Sequence, residues 1–106
     1  MSNAGKKLNH FVMNFKNFEK ARWRQVAGLN AIEIYMFYTW KNEMMKRQQK
    51  SPNHNFWISI SNAALWEQGI EMHRQTKAGI LRKLKKSGLI DVRRENGSAY
   101  QILKLK

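Results

Sequence analysis

Between Asn62 and Leu105 two glycines punctuate the hydrophobic pattern and at the second its period changes, and that order admits very few architectures. Asn62 to Gln68 reads as a short helix capped by Ser59 or Ser61, with Ala64 and Leu65 turned inward and Gly69 ending it. After Ile70-Glu71-Met72 a longer helix is predicted from about His73 to Ser87, with Leu81 and Leu84 on one side and Gly88 as its stop. The period then drops to two. Leu89 to Arg94 and Ala99 to Leu105 read as strands flanking Glu95-Asn96-Gly97, a hairpin signal. If Ile90 and Val92 share a face with Tyr100 and Ile102, the connection must hold an odd number of residues, because strand side chains alternate. A three-residue loop with Gly97 in the left-handed conformation meets that condition; a two-residue Asn-Gly turn does not.

Upstream, Phe18, Ala21, Trp23 and Val26 recur at helical intervals over Asn17 to Ala27, and Gly28 marks a bend. Asn30 is predicted to cap the next helix, with Glu33 reaching back to it, and that helix should run to about Gln49, ahead of Ser51-Pro52. Its first half is apolar nearly all round (Ile32, Ile34, Tyr35, Met36, Phe37, Tyr38, Trp40), the pattern of a central helix covered on more than one side. Core packing is the favoured reading of that face, and packing on a second subunit is the sharper one. Ser51 to Asn55 is a loop by composition, and Phe56-Trp57-Ile58 reads as a brief strand. His10 to Met13 reads as an extended apolar segment after a disordered lead over residues 1–9, in which Ser2-Asn3-Ala4 has the look of a vector remnant. Residues 10–106 form one domain, and 106 residues leave no room for a second.

Charge decides the class of partner. Twenty Lys and Arg stand against seven Asp and Glu, a net charge of +13, so a polyanion is expected. The excess is uneven: from His73 onward ten basic residues face only Asp91 and Glu95. With no cysteine, a disulfide scaffold and thiolate metal sites are excluded, and a reducing cytoplasm fits. His10, His54 and His73 lack the spacing that puts two imidazoles on one helix face, so zinc is set aside and no cofactor is expected. No apolar run approaches the roughly 20 residues that span a bilayer, so no membrane partner is expected. Neither a Ser/His/Asp set nor a metal-ligand set is present, so no catalytic activity is expected.

Ile60-Ser61-Asn62-Ala63-Ala64-Leu65 before Gly69-Ile70, then Arg74-Gln75-Thr76, Leu81-Arg82-Lys83-Leu84, Ser87-Gly88-Leu89-Ile90 and Tyr100-Gln101-Ile102 carry a likeness. From Phe56 to Leu105 the chain resembles winged helix-turn-helix DNA-binding domains, including those of small phage and plasmid proteins. The fold implied is mainly α with a small β-hairpin: two helices, then a helix-turn-helix with a two-stranded wing. The chain departs from the family pattern at Glu71, acidic in the turn, and at Lys77, which stands where an apolar residue is usual and is expected to snorkel.

Independently of that likeness, a helix anchored by leucines on one side can enter the major groove with the other. Arg74, Gln75, Ala78, Gly79 and Arg82 are the candidates for reading bases: Arg suits guanine, Gln suits adenine, and Gly79 permits close backbone approach. Candidates for the DNA backbone are Ser61, Asn62, His73, Thr76, Lys77, Lys83, Lys86, Arg93, Arg94, Asn96 and Ser98, with Lys85 adding charge. A lysine run alone is usually a solvated helix face; coincidence with a helix-turn-helix and a hairpin raises it above that. Trp23, Trp40, Trp57 and Trp66 are expected in core or interface rather than as stacking platforms.

The function expected is sequence-selective binding of double-stranded DNA by a small cytoplasmic, nucleoid-associated transcriptional regulator. The alternatives are a replication or partition protein of a mobile element and, in another class, a winged-helix protein-interaction module. RNA binding rests on charge alone. Winged domains commonly bind as dimers, and Ala31 to Met45 offers a surface for a homodimer.

Overall fold

The computed structural model describes residues 18–94 and 99–105. The segment His10 to Met13, the lead before it, the conformation of Gly97, and the candidates Asn96 and Ser98 lie outside the described residues. Among the described residues, four helices and three short strands follow in chain order: α1 (18–27), α2 (Asn30–Gln49), β1 (Ile58–Ser59), α3 (Asn62–Glu67), α4 (Arg74–Lys86), β2 (Ile90–Arg93) and β3 (Gln101–Lys104). The molecule is thus mainly helical with a small antiparallel sheet.

α1 ends as its sequence implies, at Gly28 with a φ of 89°. It buries Trp23 and Ala27, whereas Phe18 and Ala21 are exposed, so its apolar stripe is shorter than the spacing suggested. The junction to α2 corrects the expected capping. Asn30 is already inside the helix, Leu29 at the cap position is itself helical, and no side chain caps the end. The Gly28 and Leu29 carbonyls accept from the Ala31 and Ile32 amides in a tight turn, which leaves no place for an Asn30–Glu33 box.

α2 is the central helix. Ala31, Ile34, Tyr35, Phe37 and Tyr38 are buried, and Trp23 meets Tyr35 edge-on with ring centroids 5.1 Å apart. Its middle turns are stapled by polar groups. Buried Asn42 donates to Asn55 Oδ1 (3.0 Å) and accepts from the Phe56 amide (2.9 Å), while Asn55 donates to the Lys104 carbonyl (3.1 Å). The Tyr38 hydroxyl donates to the Phe56 carbonyl (2.9 Å) and accepts from the Lys104 amide (3.1 Å). These bonds fix the loop after α2 against β3 and satisfy groups that would otherwise be buried unpaired.

The sheet differs from a two-stranded wing. β1 lies two residues further along than the apolar run suggested, at Ile58–Ser59, and pairs antiparallel with β3, giving the order β1-β3-β2. Ile58, Ile102 and Val92 stand in one row facing the helices, and Ile90 joins them in the core. Val92 opposite Ile102 satisfies the parity expected of the hairpin.

Both helix stops expected at glycine are present. Gly69 and Gly88 have φ of 78° and 77°, and the amides of Ile70 and Leu89 bond back to the carbonyls of Leu65 and Leu84. Ser61, rather than Ser59, caps α3 by accepting from the Ala64 amide (3.1 Å). His73 caps α4 through Nδ1, which accepts from the Gln75 amide (3.1 Å).

Candidate nucleic-acid interface

α4 buries Lys77, Ile80, Leu81 and Leu84. At about 100° per residue these four positions span one side of the helix, so the opposite stripe is Gln75, Gly79, Arg82 and Lys86. Ile80, Leu81 and Leu84 join the core with Ile90 and Leu65, fixing α4 against β2 and α3. Gln75, Arg82 and Lys86 are exposed, and a Cβ added at Gly79 would meet open space. No acidic side chain lies on α4, so every charge on its free face is cationic.

On one flank of that stripe a groove of about 470 Å³ runs between the start of α3, the first turns of α4 and the hairpin. Ser61, Asn62, Arg74, Gln75, Ala78 and Arg94 meet there, with Tyr100 as an aromatic wall. The Arg94 guanidinium stacks over Tyr100 at 5.1 Å. A smaller groove of about 170 Å³ continues past Ala78, Arg82, Lys85, Val92 and Tyr100. The Lys85 ammonium in its lining lies 4.0 Å from the Asp91 carboxylate. With Lys77 beneath them, seven sequence-chosen residues are therefore gathered around one cation-lined recess without a carboxylate in its lining.

The other candidates are distributed differently. Thr76 and Lys83 are exposed on the flank of α4 away from the groove, and His73 spends its Nδ1 on the helix cap. Arg93 stands on the outer face of the sheet in the row Ser59–Gln101–Arg93; its Nε donates to Gln101 Oε1 (2.6 Å) and its guanidinium lies 4.3 Å from the centre of the Trp57 ring. Two neighbouring arginines are thus presented on opposite sides of the hairpin.

Lys77 is a correction. Expected to snorkel to a phosphate, it is instead 4% exposed, and its ammonium donates to the Ile60 carbonyl (2.8 Å) and to Asn62 Oδ1 (2.6 Å). Burial holds its pKa below the ordinary lysine value. It lies on the core side because position 77 is one turn before Leu81, and the long stem reaches the polar end of β1 rather than water.

Reading the residues in sequence missed the aromatic supports. Tyr100 packs against the core as expected, half-buried, and in addition carries the Arg94 guanidinium over its ring; Trp57 is half-buried under Arg93. Of the remaining tryptophans only Trp23 is core, while Trp40 and Trp66 are exposed. Strand register carried the usable signal, since any pairing of residue 93 with 101 puts both on one face. Among the described residues, no group of three His, Cys, Asp or Glu side chains could hold a metal, and no helix is long and apolar enough to cross a membrane. Comparison with protein families, curated proteins and solved structures brings no match to this chain.

Proposed function

We propose that the chain is a winged helix-turn-helix protein that binds double-stranded DNA, as a small sequence-selective regulator of transcription. α3 and α4 form the helix-turn-helix, with α4 the element that enters the major groove; β2 and β3 form the wing beside it, and β1 extends their sheet. The observation that carries the reading is the free stripe Gln75–Gly79–Arg82–Lys86, continuous with a groove in which Arg74 and Arg94 meet. Arg82 and Gln75 have the geometry to read guanine and adenine, each through two hydrogen bonds worth about 1–3 kcal/mol of discrimination. Arg74, Lys83, Lys86, Arg93 and Arg94 supply backbone charge on either side. The chemistry asked of these residues is recognition alone.

Affinity for a random duplex, measured by fluorescence anisotropy across a salt series, tests this. With five or six phosphate contacts, affinity should fall by about 10³-fold between 50 and 200 mM salt. Failure to bind duplex at low salt overturns the reading, and stronger competition by duplex RNA than by duplex DNA redirects it to RNA. Selection from a random duplex pool then separates sequence-selective binding from general coating.

A further inference from the structure

Lys77 is a costly residue to bury, and hydrophobic packing does not require it: its neighbours on the same side of α4 are Ile80, Leu81 and Leu84. What it accomplishes is local. Its ammonium is a donor with no acceptor capacity, so whichever atom of the Asn62 amide faces it must be the oxygen. The 2.6 Å contact to Asn62 Oδ1 therefore fixes the flip of that amide and turns both Nδ2 protons away from Lys77. The second contact, to the carbonyl of fully buried Ile60, ties the same ammonium to the end of β1, so it cannot swing out with Asn62. Asn62 is exposed and lines the groove that also holds Arg74 and Arg94. A side-chain amide that would otherwise be free to flip becomes a fixed pair of N–H donors at the first residue of α3, which stands between that cationic groove and a recess holding Glu67 and Glu71.

We propose that Lys77 is a positioning residue: from beneath the surface it locks the Asn62 amide with its N–H groups toward the α3–α4–hairpin groove, where Asn62, Arg74 and Arg94 together seat one backbone phosphate of a bound duplex. This rests on the duplex-binding reading. It assigns Lys77 to orientation and Asn62 to contact, so the lysine itself does not neutralise phosphate.

Lys77→Met, Asn62→Ala and the double variant, each as the full chain, separate these roles. Each single variant should weaken duplex binding by about tenfold at fixed salt, and the double should be no weaker than the weaker single, because both remove one contact. The slope of log affinity against log salt should stay at the wild-type value in Lys77→Met and lose about one unit in Arg94→Ala. In the wild type the two Asn62 Nδ2 proton resonances should shift on adding duplex; in Lys77→Met they should not. Additive losses, unchanged affinity in Lys77→Met, or a slope reduced by one in that variant overturn the proposal. If Lys77→Met does not fold, the wild-type resonances decide alone: unmoved Asn62 protons in a bound complex overturn it. A wild-type chain that fails to bind duplex is a different result, since it removes the reading on which the proposal stands.

Discussion

α2 and α4 are the two long helices, and they are buried in opposite styles. α2 buries a broad apolar arc made of Ala31, Ile34, Tyr35, Phe37 and Tyr38 and leaves Met36 and Trp40, with Leu29 just before it, as large exposed apolar side chains. α4 buries one narrow side and surrounds it with charge. A helix wrapped on several sides has little surface to offer a ligand and serves as scaffold; a helix anchored along one edge can present the rest of its circumference to a groove. Under the proposed function the contrast gives stability to one and recognition to the other, and it can be broken by substitutions that cross the division.

The largest effect is expected where α4 meets the scaffold. Leu84→Ala removes a fully buried side chain and should cost about 2–5 kcal/mol in chemical denaturation; a loss below 1 kcal/mol would mean that α4 is not seated as described. On the free stripe, Arg82→Ala should leave the denaturation midpoint within about 0.5 kcal/mol of wild type. It should nevertheless lower affinity for a selected duplex by about 5- to 150-fold, the range of a lost bidentate base contact. Equal losses for selected and random duplexes would move Arg82 from base reading to backbone charge.

Gly79 sharpens the comparison because stability and binding should move in opposite directions. A helix-interior glycine with open space at its Cβ should gain about 0.5–1 kcal/mol on substitution by alanine. If duplex backbone or bases approach closely there, Gly79→Ala weakens binding while raising the unfolding midpoint; unchanged affinity would place the duplex off that stripe. The smallest effect is expected on α2: Met36→Ser with Trp40→Ser should change duplex affinity negligibly. A concentration-dependent sedimentation coefficient abolished by these two substitutions would instead make that face a dimer surface.

Lys77 adds a pH dependence. Its folded-state pKa lies below the ordinary value of 10.5, so in the window between them the unfolded chain binds more protons, and the lysine's contribution to stability improves as pH rises through that window. Below the window both states are protonated and the burial cost is complete. Tyr35 and Tyr38 act in the other direction: burial raises both above 10.0, so stability falls once the unfolded tyrosines ionise. Urea denaturation of wild type and Lys77→Met on approach to pH 10 isolates the lysine, and the difference should move in favour of wild type with rising pH.

Local rules made much of this legible. Glycines after periodic apolar runs placed the ends of α1, α3 and α4, and alternation gave the facing of Val92 and Ile102. What escaped depends on distance along the chain. β1 becomes a strand only because β3 lies beside it, and Asn42, Asn55 and Tyr38 reveal their role only when the loop after α2 reaches Lys104. Asn30 failed as a cap because the turn at Gly28 keeps Leu29 helical, a backbone matter that side-chain preference does not report. In the candidate site, helical spacing selected the free stripe, but Lys77 looked like one more surface cation. Its position one turn before Leu81, where the resembled family is usually apolar, was the sign of burial.

Mapping of backbone amide shifts during titration with a selected duplex tests the division between the two helices most directly. The account predicts that shifts concentrate on Gln75, Gly79, Arg82 and Lys86, on Asn62, and on the hairpin at Arg94, while Ile32, Met36 and Trp40 stay still. Shifts centred on α2 with α4 undisturbed would contradict it.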